Sequence, residues 1–346
     1  MPDPSDAPRP DAMVITGAGG WLGQNLVRTA VAGRRRVRCL VQTEDDAALL
    51  SLVSPVVQPV VGDVRDPTAL DRLFDGVAGA TVVHAAAIIH PVRRMQEIHD
   101  VNVGGTQLTL DRARRAGSGR FVHISSNSPF GANPTPDHRF TESSPFNPYM
   151  GYGRSKADAE ALVAASWSRG DLETVVLRPP WFYGPHQPDR QTQWFRAVRR
   201  GRFPLIGDGS NRRSMVFTGN LVHGVERAEV SRSAPGQAYW IADGDPLDMR
   251  SIIGTVREAL VAEGLAVSGG QPRLPRLAGV VAEHLDGALQ ARGRYVQALH
   301  VLGELKDTIA CDIGLARREL AYDPPTDLLG GMRASIRWCL EHGQAL

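Results

Sequence analysis

Residues 13–179 alternate short apolar runs with stretches of helical length. MVIT (13–16), VRCLV (37–41), VVQPVVGD (56–63), TVVHAA (81–86), RFVHISS (120–126) and TVVLRP (174–179) read as strands, with Pro59 an imperfection in the third. Helices are expected from Trp21 to Ala32, over 95–116 and over 152–169. Strands apolar on both faces and spaced by helices predict an α/β fold, a doubly wound parallel sheet covered on both sides. After Pro179 the alternation weakens and Gly, Pro and aromatics become denser. FPLIGDGSNRRSMVF reads as two strand pieces joined by a polar turn. The expected organisation is a disordered leader (1–11), a dinucleotide-binding domain (12–178) and a smaller α+β substrate region (179–346) partly interleaved with it.

VITGAGGWLG leaves the first strand and opens the first helix. Its glycines at 17, 20 and 23 suit a tight turn, backbone approach to a pyrophosphate and close helix–sheet packing. The helix start adds unpaired N–H groups and positive dipole for phosphates. At the end of the second strand stand Val41, Gln42 and Thr43, with neither the acid that marks NAD nor the arginine that marks NADP. Glu44, Asp45 and Asp46 follow, and a 2′-phosphate beside them would be repelled, which favours NAD. The same run also suits a helix cap.

Of the 39 Lys and Arg residues only Lys156 and Lys306 are lysine. Lys156 lies four residues after Tyr152, on the same helical face. An ammonium there favours a phenolate, and lysine is slim enough to reach ribose hydroxyls. Upstream, HISSNSPFG offers Ser125, Ser126 and Ser128 at a strand end, where a hydroxyl can hold a substrate carbonyl while tyrosine moves the proton.

TGAGGWLG, GDVRD, VVHAAA, NVGGT, HISS, YGRSK and LRPPWFYGP occur in this order. In them the chain resembles an extended short-chain dehydrogenase/reductase, the branch holding nucleotide-sugar epimerases and 3β-hydroxysteroid dehydrogenases. The resemblance runs from Val14 to DIGLARRELAYDPP and implies a Rossmann-type fold with NAD(P). It places the catalytic groups at Ser126, Tyr152 and Lys156. It places the cofactor along Gly17, Gly20, Trp21, Leu22, Gly23, Asp63, Val64, Ala85, Ala86, Ala87, Asn102, Tyr152, Lys156 and Pro180, with Gln42 near the ribose. His84 reads as a structural strand-end residue. A homodimer through the helices over 95–116 and 152–169 is also implied.

The implied reaction is hydride transfer at a secondary alcohol or ketone carbon. Family dehydratases carry Thr-Asp-Glu where this chain has Ser126, Asn127 and Ser128, so an epimerase or dehydrogenase is expected rather than a dehydratase. Arg213 matches the arginine that grips a nucleotide-sugar diphosphate, and a nucleotide-linked sugar is the first expectation for substrate. Trp181 stands where epimerases carry asparagine. With Phe182, Tyr183 and Trp194 it could instead wall a pocket for a steroid-like or polyketide-like ketone.

The remaining numbers exclude more than they assign. A net charge of +2 gives no reason for a nucleic-acid partner. No apolar run reaches the ~18 residues of a membrane span, and no membrane partner is expected. Cys39, Cys311 and Cys339 form no CxxC, no metal site is indicated, and a reducing, cytoplasmic setting fits.

Overall fold

The computed structural model describes residues 7–89, 96–170 and 172–346. Residues 1–6 of the expected leader, and Met95 at the expected start of the long helix, lie outside the described residues.

The six apolar runs form β1 (Ala12–Thr16), β2 (Arg36–Val41), β3 (Val57–Val61), β4 (Thr81–His84), β5 (Arg120–Ile124) and β6 (Glu173–Arg178). Ala238–Trp240 completes a seven-stranded sheet ordered Ala238–Trp240, β6, β5, β4, β1, β2, β3. Every pairing in it is parallel. The strand order reverses between β1 and β4, and the carboxyl ends on either side of that point frame a ligand crevice. Pro59 falls in β3, the edge strand, where a missing N–H is tolerated. A strand from the C-terminal half thus crosses into the sheet.

Two expectations fail locally. The helix expected over 95–116 contains a π-helical turn, Asp100–Gly104, between Gln96–His99 and Gly105–Arg115. Residues 203–217 form three short strands rather than two joined by a turn: Leu205–Ile206, Arg212–Arg213 and Met215–Phe217. Each pairs with a distant segment, Arg273–Leu274, Leu247–Asp248 and Trp181–Tyr183 respectively. Arg213 is therefore buried and not at a hairpin tip. The partners lie far away in sequence, so local pattern could not show them.

Apolar clusters fill both faces of the sheet, and a third core holds the C-terminal region together. Trp194, Phe195 and Tyr183 belong to that third core, and Trp181 packs on Trp194 at 4.8 Å. Tyr183 Oη donates to Asp243 at 2.7 Å. These aromatics are internal packing of the C-terminal region.

His84 and His123 sit side by side on β4 and β5, fully buried and stacked at 5.5 Å. The His84 ring bridges Thr16 and Thr106 at 2.8 and 2.9 Å, a structural role. Burial, then the Lys156 charge, pull His84 down to about 3 and His123 well below its ordinary value. An unfolded imidazole titrates near ~6.5, so as pH falls the unfolded chain takes protons first. The stability of these neutral rings is complete above that pH and is lost as pH drops toward about 3. At pH 5 the His84 share should be about 2 kcal/mol. Urea unfolding should therefore show a clearly lower midpoint at pH 5 than at pH 7.5; equal midpoints would contradict neutral burial.

Candidate functional site

The glycine loop is built by steric exclusion. Gly17 has φ +71°, and a Cβ on it would stand 2.8 Å from the Ala86 backbone. A Cβ on Gly23 would stand 2.2 Å from Gly17 O, so only glycine lets the helix Trp21–Ala32 close on the turn. Gly20 is less constrained, its nearest contact being Gly17 O at 3.2 Å. That helix has no side-chain cap, which leaves its first N–H groups available to an anion. Trp21 works through its indole, donating to Gly184 O and Pro185 O at 3.1 and 2.9 Å. It thereby ties the segment after the strand Trp181–Tyr183 over the loop, while Leu22 is buried in the core.

Around this cradle the other expected cofactor residues divide in two. Ala85, Ala86 and Ala87 follow β4 past the switch point, Gln42 is exposed just beyond β2, and Pro180 is buried just beyond β6. Asp63 is paired with Arg65 at 2.7 Å, which holds its carboxyl below the usual range. Val64 packs where a Cβ on Gly105 would lie, 2.6 Å away. Asn102 is a brace. Its Oδ1 accepts from Ile88 N at 2.9 Å, and its Nδ2 donates to Ile88 O and to Ser155 Oγ at 3.0 and 2.9 Å. Both amide hydrogens are used inside the protein, and the π-helical turn places them there.

Asp46 was visible in the sequence only as part of an acidic run. Thr43 caps the helix Glu44–Ser51, accepting from Asp46 N at 3.1 Å and donating to Asp46 Oδ2 at 2.8 Å. The carboxyl group is thereby turned onto the glycine loop, 2.7 Å from where a Gly19 Cβ would be. The run caps a helix and also delivers one acid to the cradle.

Ser126, Tyr152 and Lys156 gather at the carboxyl end of β5. Ser125 and Ser126 are separated by their partners. Ser125 Oγ donates to Glu160 at 2.5 Å, within a buried pair of Glu160 with Arg178 at 2.6 Å. Ser126 Oγ is half-buried, 3.2 Å from Ser128 Oγ and near enough to Tyr152 to draw its pKa down. Burial pushes the Tyr152 phenol up to about 12, against the opposing influence of the Ser126 hydroxyl and the positive charge of Arg190. Lys156 is 2% exposed. Its Nζ donates to Ile124 O at 2.6 Å and lies 3.3 Å from His123 Nε2. Burial pulls it down to about 8, opposed by Glu160. The expectation that Lys156 lowers the Tyr152 pKa finds no direct counterpart here: the groups that act on the phenol are Ser126 and Arg190.

Above Tyr152 and Ser128 opens a cavity of about 240 Å³, walled on the far side by the helices Arg276–Gln290 and Gln297–Glu304. Tyr149, Met150, Tyr295 and Ile309 give it an apolar body. Its lining residues Tyr149, Gln290 and His300 converge on Asp286, which is fully buried. Tyr149 Oη, Gln290 Nε2 and His300 Nδ1 meet Asp286 Oδ2 at 3.3, 2.9 and 2.9 Å, and Oδ1 has no partner. Met150 adopts φ +59°, a costly backbone for a non-glycine residue, between Tyr149 and Tyr152 at the start of the helix Met150–Ser168. Neither Trp181 nor Arg213 is among the residues walling this cavity. Arg213 Nη2 instead donates to Glu304 O. Sequence reading missed His123, Tyr149, Arg190, Asp286 and His300. His123 had a signal inside HISS itself and Tyr149 stands three residues before Tyr152; Arg190, Asp286 and His300 depend on how distant helices fold back.

The sequence model of the NAD dependent epimerase/dehydratase family matches residues 13–242. An uncharacterised protein of Sinorhizobium fredii is 41% identical over 96% of each chain. A 4-hydroxy-2-methyl-3-oxo-4-farnesyl-3,4-dihydroquinoline-1-oxide ketoreductase of Stigmatella aurantiaca is 32% identical, over 89% of this chain and 90% of its own. Among solved structures, the dTDP-glucose 4,6-dehydratase DesIV of Streptomyces venezuelae, with NAD and TYD bound, superposes with a TM-score of 0.73. It is 26% identical and covers 95% of this chain and 97% of its own.

Proposed function

The chain belongs to the NAD dependent epimerase/dehydratase family, and from that premise we propose that it is an NAD-dependent ketoreductase, or the corresponding dehydrogenase, of a hydrophobic hydroxy/keto compound. A bound nicotinamide would supply hydride to the ketone carbon or accept it from the carbinol carbon. Tyr152 moves the proton at the substrate oxygen and Ser126 holds that oxygen. Lys156 keeps a positive charge beneath them. Asn127 and Ser128 provide no acid and base for elimination, which speaks against a dehydratase.

The observation that carries the substrate class is the cavity wall. Among the described residues lining it there is no arginine or lysine. Glu283 and Asp307 are paired with Lys306, and Asp286 with His300. Arg213, the expected diphosphate ligand, is buried against a carbonyl. Among the described lining residues a diphosphate would meet no cation, the exposed Arg190 being the positive charge that reaches Tyr152 and Tyr295 from outside that wall, whereas tyrosines and aliphatic side chains suit a ring or chain. The ketoreductase relative of Stigmatella supports this reading. A nucleotide-linked sugar is the second reading, supported by the likeness to DesIV.

The two readings part in one experiment. Long-chain and polycyclic ketones should drive NADH oxidation, and UDP, dTDP and GDP should leave the melting temperature unchanged. Stabilisation by any of the three nucleotides, with no turnover of the ketones, would hand the site to the sugar reading. Cofactor that stays with the purified protein and is released only on denaturation would mark an epimerase.

The placement of Asp46 supports NAD over NADP, because its carboxylate would face a 2′-phosphate but could accept from a ribose hydroxyl. Asp46→Asn should narrow the NAD preference by about tenfold, the scale of one charge contact worth ~1.4 kcal/mol. An unchanged ratio of NAD to NADP affinity would remove Asp46 from this role.

A further inference from the structure

The helix Arg276–Gln290 is oriented against the usual rule. A surface helix turns its apolar stripe to the core and its charges to water. Here Leu277, Val281 and Leu285, spaced four apart on one face, are 68%, 49% and 50% exposed, and Val280 beside them 37%. The buried positions are Gly279, Ala282 and Asp286. Charge is sorted the same way. Arg273, Arg276, Arg292 and Arg294 are all exposed at the two ends of the helix, whereas Glu283 lines the cavity and Asp286 is sealed beneath it. The outer face therefore combines an apolar ridge, interrupted by the exposed His284, with four exposed guanidinium groups at its two ends.

We propose that this face docks on an anionic lipid surface, with Leu277, Val281 and Leu285 entering the acyl boundary and the four arginines taking the headgroups. Exposed apolar patches mark interaction sites, and basic groups beside one select an anionic partner. The ridge is a convex helix with no groove, which fits a plane. A second copy of the chain is disfavoured, because a symmetric contact would set these same arginines against one another. The dimer implied by the resemblance uses other helices. No helix among the described residues is long and apolar enough to cross a membrane, so the contact is peripheral. Since this helix also walls the cavity, docking sets the roof of the cavity against the lipid.

The test is co-sedimentation of the full-length protein with vesicles. One set is phosphatidylcholine alone; the other contains about one third phosphatidylglycerol. Binding is expected to the anionic set only, and to fall at least about tenfold near 1 M salt, where the Debye length is ~3 Å. Leu277→Gln/Val281→Gln/Leu285→Gln should abolish it, and Arg292→Gln/Arg294→Gln should weaken it several-fold. Melting temperature and NAD binding serve as fold controls, and the arginine pair with the salt series decides the matter if the triple variant is unstable. No binding of the wild type to either vesicle set overturns the proposal. So does equal binding to both sets, or binding that survives the triple substitution. A wild-type oligomer that the triple variant converts to monomer would assign the ridge to a second copy instead.

Discussion

Tyr152→Phe is expected to lower turnover by about 10²–10⁴-fold, the usual worth of a positioned proton donor. NAD affinity should change little, because the ring is kept and the glycine cradle is built from other residues. The direction of the reaction sharpens this expectation. With the phenol pushed up to about 12, the neutral form dominates near pH 7. A neutral phenol is ready to give a proton to a ketone oxygen and poorly able to take one from an alcohol. Reduction should therefore outrun oxidation at neutral pH, and oxidation should rise as the medium becomes alkaline. Lys156 sets the opposite limb. Its ammonium, drawn down to about 8, is complete below that pH and lost above it, so reduction should decline through that range. Steady-state rates in both directions across pH, for wild type and Tyr152→Phe, check all of this. A phenylalanine variant with wild-type turnover would refute the assignment of the base.

The legible part of this protein is the part written locally. β1, the glycine loop and the helix Trp21–Ala32 follow one another along the chain, so the order of residues alone carries their roles. The spacing of Tyr152 and Lys156 implies a shared helical face for the same reason. What stays hidden depends on long-range return of the chain. Asp286 and His300 belong to helices more than a hundred residues beyond Tyr149, and no local period announces that they meet it. Arg213 shows the converse error. Its sequence setting resembles an exposed hairpin, but Arg212–Arg213 pairs with Leu247–Asp248, and the side chain is buried. Ser125 and Ser126 illustrate a finer limit. Adjacent residues of one type point to opposite sides of an extended chain, and only their surroundings tell them apart: Ser125 bonds Glu160, while Ser126 meets Ser128 and acts on Tyr152.

Glu160→Gln should be the most damaging single change outside the catalytic trio. Glu160 accepts Arg178 through both oxygens, at 2.6 to 3.2 Å, and Ser125 Oγ at 2.5 Å. The arrangement ties β5, β6 and the helix that carries Tyr152 and Lys156 into one unit. Arg178 also lies over the Phe130 ring at 4.7 Å, with little access to water. Glutamine keeps the shape but removes the paired counter-charge of the buried guanidinium, leaving it only the influence of Glu142, a change that costs about 3–5 kcal/mol. That is a large share of the ~5–15 kcal/mol of a typical domain. Denaturant unfolding reads it as a lowered midpoint. A second effect follows from electrostatics. Glu160 is the group that raises the Lys156 pKa against burial. Without its negative charge Lys156 loses its proton at lower pH, so the alkaline decline of reduction moves toward neutrality in whatever enzyme remains folded. A purely structural role would lower the amount of active enzyme without moving that profile. A shift in the profile therefore shows that the buried pair sets the charge beneath the reacting oxygen as well as holding the strands.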